Sequence, residues 1–90
     1  MEKIIITVVG KDTVGIIAAV CLVLSEHGVN ILDISQTIVQ DFFNMMMIAD
    51  MAKCDIGFDE LQETLKKAGE GKGVDVRCQR EDIFTSMHRV

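Results

Sequence analysis

The stretch Gly10–Val20, GKDTVGIIAAV, holds the residues of this sequence whose types and spacing are best suited to chemistry. Gly10 and Gly15 flank a charged pair and lead into an apolar run. A Walker A phosphate loop requires a lysine and a serine or threonine directly after its last glycine, whereas Ile16 and Ile17 follow Gly15. The Gly-x-Gly-x-x-Gly pattern of dinucleotide-binding loops is also missing from this stretch. The residues therefore disfavour nucleotide binding.

A turn between a strand and a helix remains, and its residues allow two interpretations. The backbone amides of the first helical turn, with the positive end of the helix dipole, could bind a small anion such as a carboxylate. Alternatively, Gly10 and Gly15 only permit a tight turn and close packing, while Asp12 or Thr13 caps the helix. Both interpretations stand at this point.

The remaining reactive side chains give no pattern of a catalytic or metal site. His27 and His88 are the only histidines, and neither has Cys, Asp or Glu at metal-ligand spacing. Cys21, Cys54 and Cys78 lie far apart without a CxxC pair, which predicts reduced thiols. No Ser-His-Asp or Cys-His pairing follows from the spacings. We therefore predict a protein without a metal or another cofactor that is not an enzyme.

The charge pattern limits the classes of partner. The net charge is −5, and the lysines and arginines are dispersed instead of forming the basic face that nucleic-acid binding requires. Four Phe and no Trp or Tyr leave few platforms for stacking on single strands. No apolar run approaches the ~18 residues of a membrane span, and the N-terminus does not resemble a signal peptide. The sequence predicts a cytoplasmic protein that contacts neither nucleic acid directly nor a membrane.

The 90-residue chain is predicted to fold as one domain, residues 1–90. A β-branched run over residues 4–9 predicts a central strand that is buried on both faces. Residues 13–25 contain no charge, and their apolar side chains would surround nearly the full circumference of a helix. Such a helix needs a second apolar neighbour besides its own sheet.

The next segment reads as a half-covered strand followed by a hairpin. In residues 30–40, Leu32, Ile34 and Ile38 share one face by alternation. Gln36 falls on the same face, where a buried amide would need hydrogen-bond partners. The polar pair at 40–41 then predicts a turn into a second strand.

The last third of the chain completes a known order of elements. An amphipathic pattern over residues 58–68 predicts a helix that is stopped by the glycines at 69, 71 and 73, and residues 74–79 alternate as a strand. The full order predicts an α+β, ferredoxin-like βαββαβ sandwich over residues 1–80, with a four-stranded antiparallel sheet and two helices on one face. Apolar residues within 81–90 predict a short C-terminal helix.

The combination VVGKDTVGIIAAV and GVNILDISQT resembles the ACT domain, the small ligand-binding module of amino-acid metabolism. It is most similar to the stand-alone, single-ACT bacterial proteins, which also resemble half of the glycine cleavage system transcriptional repressor. The resemblance covers nearly the whole chain. It implies a βαββαβ fold that forms a homodimer side by side, so that two sheets join and the first helices meet. This arrangement would give the uncharged helix its second apolar neighbour.

The resemblance also implies a site for an amino acid or a similar small carboxylate between the strand 1–helix 1 turn and elements of the neighbouring chain. The amides of residues 14–16 would bind the carboxylate, while Asp12 and the side-chain oxygen of Asn30 would hold the ammonium. The best-known serine-binding pattern has His, Asn and Pro at the positions of Gly10, Asp12 and Val14. The matching ligand-binding positions in this sequence are Gly10, Asp12, Thr13, Val14, Gly15, Ile16 and Asn30.

The function implied by the resemblance is regulatory. The chain would sense an amino acid at the dimer interface and signal to a partner protein. The alternative is a module that binds no ligand and serves only dimerisation and protein interaction.

Overall fold

The computed structural model of the protein describes residues 2–11 and 15–81. They form β1 (Lys3–Lys11), α1 (Ile16–Glu26), β2 (Asn30–Val39), β3 (Phe42–Asp50), α2 (Phe58–Glu70) and β4 (Val74–Arg80). The strands make one antiparallel sheet in the order β2-β3-β1-β4. The predicted ferredoxin-like α+β sandwich is confirmed. Residues 82–90, which hold most of the predicted C-terminal helix, lie outside the described residues.

The hydrophobic core lies between the sheet and the two helices. Alternate residues of β1, β3 and β4 point to the helix side, where α1 and α2 contribute one apolar stripe each. Burying each large apolar side chain contributes about 1.5–3 kcal/mol, so this single layer stabilises the whole domain. The largest buried side chains are Ile4, Ile6, Val8, Ile16, Val20, Leu24, Met45, Met47, Leu61, Leu65 and Cys78.

β1 is a central strand, as predicted, because it pairs with β3 on one side and β4 on the other. On the helix-free face of the sheet, Ile5 is buried but Val9 is nearly half exposed. Burial on both faces is therefore confirmed only for the first half of the strand.

The predicted end of α2 at its glycines is confirmed at Gly71, which is the C-cap, although the helix continues through Gly69 to Glu70. A Cβ atom at Gly69 would collide with the side chain of Val76 and lie 2.9 Å from the carbonyl oxygen of Val74. Because it has no side chain, Gly69 allows α2 to pack closely against β4. This close packing explains why position 69 is a glycine.

The predicted face of β2 also needs correction. The pairing with β3 shifts register between Ile31 and Asp33, and this bulge removes Leu32 from the alternation. Ile34, Gln36 and Ile38 pair with helix-side residues of β3, yet all three remain exposed. Gln36 is therefore not a buried amide in the single chain, because β2 forms the edge of the sheet.

Candidate functional site

The predicted site residues of the first turn gather at the C-terminal end of β1. Gly10 lies near the end of that strand, Gly15 is the N-cap of α1, and Ile16 is the buried first residue of the helix. The structure therefore brings these three positions together. The other predicted residues of the turn, Asp12, Thr13 and Val14, lie outside the described residues.

Close packing between β1 and β4 explains why position 10 is a glycine. It pairs with Val74, and a Cβ atom at Gly10 would lie 2.7 Å from Cγ1 of Val74. Real Cβ atoms do not approach a neighbour so closely. A histidine, which stands at this position in the serine-binding pattern, would collide with β4. Gly10 can therefore offer a ligand only its backbone.

Gly15 adopts a left-handed conformation, with φ of 85°, and α1 begins directly after it. The first hydrogen bond of the helix runs from the Ala19 amide to the Gly15 carbonyl at 2.9 Å. The amides of Ile16, Ile17 and Ala18 therefore have no acceptor within the helix. Since Gly15 has no side chain, it cannot cap these amides, which lie at the positive end of the helix dipole. The arrangement suits an anion.

Lys72, which is not among the residues predicted from the sequence, adds a cation to this end of the sheet. Its Nζ lies 3.5 Å from the position of a Cβ atom at Gly15. Lys72 belongs to the turn between α2 and β4, and the next residue but one, Val74, pairs with Gly10. The only sequence signal is a lysine between two glycines. In a chain of net charge −5, an ammonium near the N-terminal end of a helix favours a carboxylate there.

Asn30 lies at the opposite end of the sheet. It pairs with Asp50, whose other neighbour is Lys3, whereas the β3 partner of Gly10 is Phe43. The positions 43 and 50 are seven residues apart on β3, which corresponds to roughly 24 Å along an extended strand. A single chain therefore does not bring Asn30 to the turn.

Other chemical groups lie away from this turn. Cys21, Cys54 and Cys78 are free thiols, and burial raises the pKa of Cys78 to about 12. Within residues 2–11 and 15–81, no three His, Cys, Asp or Glu side chains lie where they could hold a metal ion. In the same part of the chain, neither helix is long and apolar enough to cross a membrane. A groove of about 380 Å³ between α2 and β4 is lined by Gln62, Glu63, Lys66, Asp75, Val76 and Arg77.

Comparisons with known proteins agree with the geometry. The UPF0237 protein from Bifidobacterium longum is 60% identical over 90 residues, which cover 100% of both chains. The solved ACT domain protein from Streptococcus pneumoniae is 38% identical, with a TM-score of 0.80 over 92% of this chain and 93% of the other.

A candidate glycine cleavage system transcriptional repressor is 24% identical, with a TM-score of 0.73 over 88% of this chain and 45% of the other. At this identity the likeness shows the fold alone. The model of the ACT domain matches residues 2–79. The protein therefore belongs to the ACT domain family, whose members are generally small regulatory ligand-binding modules.

Proposed function

We propose that the protein is a non-catalytic regulatory module that binds an amino acid, or a similar small carboxylate, at a homodimer interface. The observation that carries this proposal is that the first amides of α1 follow a glycine that cannot cap them, and that the Lys72 ammonium lies near this glycine. A ligand that contacts both subunits would favour one dimer arrangement, and this change would be passed to a partner protein.

The two edges of the sheet support dimerisation through β2. On the β4 edge, Gln62 Nε2 donates to the outward carbonyl of Cys78 at 3.0 Å. Asp75 and Arg77 form an ion pair on the same strand, with 2.9 Å between Arg77 Nε and Asp75 Oδ2. Charged side chains and blocked backbone groups protect an edge against further pairing. The β4 edge is therefore a poor place for another strand.

The β2 edge is more apolar. Ile34 is 44% exposed and Ile38 is 55% exposed, and both point to the helix side of the sheet. α1 lies next to β2 on that side, and its Leu22 is 60% exposed. An apolar edge strand beside an apolar helix surface is suited to pair with another strand. A second copy of the chain would cover both elements at once.

A two-fold arrangement would also assemble the ligand site. β2 runs parallel to β1 in one chain, because each is antiparallel to β3. Antiparallel pairing of two β2 strands reverses the direction of the partner strand. Asn30 of the partner subunit would then lie at the end of the joined sheet where Gly15 and Lys72 lie. The proposed dimer therefore explains why Asn30 is remote from the turn in a single chain.

A second candidate function is a ligand-free module for dimerisation and protein interaction. The helix-free face of the sheet favours it, because Phe42 is 56% exposed there and Val9 and Val39 are also exposed. A protein partner of apolar character would cover these side chains. This function needs the dimer but not the first amides of α1.

A thermal-shift panel of the twenty amino acids at millimolar concentration separates the two functions. A ligand at 100 times its dissociation constant stabilises the folded state by ~2.7 kcal/mol. Each kcal/mol moves the midpoint of so small a domain by ~4–8 °C. We expect one amino acid, or a few related ones, to raise the midpoint. A flat panel on a confirmed dimer would favour the ligand-free module.

Matched variants locate the site. Asn30→Ala, Asp12→Ala and Lys72→Gln should each reduce the shift, because each removes a polar group proposed to bind the ligand. Lys66→Gln is the control, since it removes the same charge from the outer surface of α2. A shift that is lost equally in Lys66→Gln would show a dependence on net charge alone.

A further inference from the structure

Two hydrogen bonds, one on each edge of the sheet, identify which backbone groups of β2 point outward. The Ile34 amide donates to Oδ1 of Asp33 at 2.9 Å, so it points away from β3. Across the sheet, Ile34 is aligned with Met47, Ile6 and Cys78, and the Cys78 carbonyl points outward to Gln62. Both observations fix the same alternation of antiparallel hydrogen bonds. The backbone groups of residues 34, 36 and 38 therefore face the open edge.

Symmetry limits how two copies of β2 can pair. In an antiparallel pair, opposed residues point to the same face of the sheet. A two-fold axis perpendicular to the sheet must therefore pass where one residue opposes its own copy. The regular part of β2 after the bulge runs from Asp33 to Val39, and its middle residue is Gln36. An axis at Gln36 pairs this whole segment with its copy.

The side chains favour the same axis. With the axis at Gln36, Ile34 opposes the partner's Ile38 and Ser35 opposes the partner's Thr37. The two Gln36 amides oppose each other, and each carries both donors and an acceptor. Moving the axis by one residue would instead place Gln36 against the partner's Ile34 or the partner's Ile38. An amide covered by isoleucine loses its hydrogen bonds with water without replacement, which is costly.

We infer that Gln36 lies on the two-fold axis and sets the register of the dimer, an inference that rests on the homodimer proposed above. Gln36 is the one polar residue between two exposed isoleucines on the helix side of β2. A single polar pair within an apolar interface can fix register, as a buried asparagine does in coiled coils. The register in turn fixes how far the partner's Asn30 extends past the turn at Gly15.

Cysteine substitutions at three successive positions test the register. We expect Gln36→Cys to form a covalent dimer on oxidation with copper phenanthroline, because facing Cα atoms on the axis lie within the ~7 Å reach of a disulfide. In the same register, copies of Ser35→Cys or of Thr37→Cys would be about 8 Å apart, which is too far for a bridge. Peptide mapping by mass spectrometry distinguishes the new bridge from products of the native cysteines.

The outcomes separate the register from the dimer itself. Cross-linking that is strongest at Ser35→Cys or Thr37→Cys, or absent at all three positions, in a protein that is dimeric by light scattering would overturn the register and leave the dimer. A monomeric wild-type protein would overturn the homodimer on which the inference rests.

Gln36→Glu gives a second readout without a covalent step. Two carboxylates facing each other on the axis repel, so protonation of one of them should favour association. We expect the dissociation constant of this dimer, measured by sedimentation, to rise roughly tenfold from acid to neutral pH, the equivalent of one unit of pKa. Thr37→Glu, whose copies do not oppose each other, should change less. Equal pH dependence in the two variants would contradict the inferred axis.

Discussion

At the scale of single residues, the Asp50 carboxylate binds two backbone amides, one of them from the residue directly before β1. Its Oδ1 accepts hydrogen bonds from the Ala52 amide and the Glu2 amide, each at 3.0 Å. The bond from Ala52, and next that from Glu2, lowers the pKa of Asp50 below its usual value of 3.8. Both bonds favour the ionised form, so protonation in the folded state is opposed by the loss of these contacts.

The sign of the resulting pH dependence follows from the lowered pKa. Asp50 contributes stability above its unfolded pKa, and this contribution is lost as the pH falls through the folded value. We expect Asp50→Asn to be less stable than the wild type at pH 7, with the difference shrinking below pH ~4. Urea unfolding at several pH values measures it. A difference that is constant from pH 7 to acid would mean that the charge of Asp50 is irrelevant.

At the scale of the elements, the contact between α2 and β4 depends on Gly69. A Cβ atom there would collide with Val76, so Gly69→Ala should destabilise the domain by about 1–3 kcal/mol, as overpacking does. Gly71→Ala is the matched control, because Gly71 has φ of −63° and a Cβ atom there would lie 3.6 Å from the Ala68 carbonyl oxygen, an ordinary contact. Urea unfolding of both variants is the measurement. Equal stabilities would show that α2 moves away from β4 without cost.

The helices and strands themselves could be predicted from the sequence because each leaves a local pattern of apolar and polar residues. The β-branched run at β1, the amphipathic pattern of α2 and the polar pair between β2 and β3 all correspond to elements of the structure. The bulge at Leu32 leaves no such pattern, since one extra residue shifts which side chains share a face of the strand without changing the amino-acid composition. The alternation alone therefore placed Leu32 on the same face as Ile34 and Ile38, which is wrong.

The candidate site was predictable only in part. Gly15 could be recognised because a glycine before an apolar run suits a left-handed conformation. Lys72 could not, because its proximity to Gly15 joins two turns that are distant in the sequence. The exposure of Gln36 could not be predicted either, because alternation shows which face of the strand a side chain points to but not whether another element covers that face.

At the scale of the whole molecule, Val20 belongs to the core, whereas Leu22 belongs to the proposed dimer interface. Val20 is fully buried in the single chain, whereas Leu22 is mostly exposed. Val20→Asp should therefore unfold the domain, because it buries an unpaired charge. Leu22→Asp should keep the fold and weaken the dimer. Light scattering at micromolar concentration should give about twice 10.0 kDa for the wild type and a mass near 10.0 kDa for Leu22→Asp.

Circular dichroism provides the control for that comparison, since the Leu22→Asp spectrum should match the wild type. A folded Leu22→Asp protein that remains fully dimeric would remove α1 from the interface and leave only the β2 edge.

Ligand binding and dimerisation should be coupled, because the proposed site takes the turn at Gly15 from one subunit and Asn30 of the partner subunit. A ligand that contacts both must bind the dimer more tightly than the monomer, and the coupling is reciprocal. We expect the amino acid found in the thermal-shift panel to lower the dimer dissociation constant by about 5–150-fold at saturation. Sedimentation near the dissociation constant, with and without the ligand, measures this change. Monomeric Leu22→Asp should bind the same amino acid correspondingly weakly; wild-type affinity in that variant would mean that the site lies within one subunit and that its ligand cannot report on assembly.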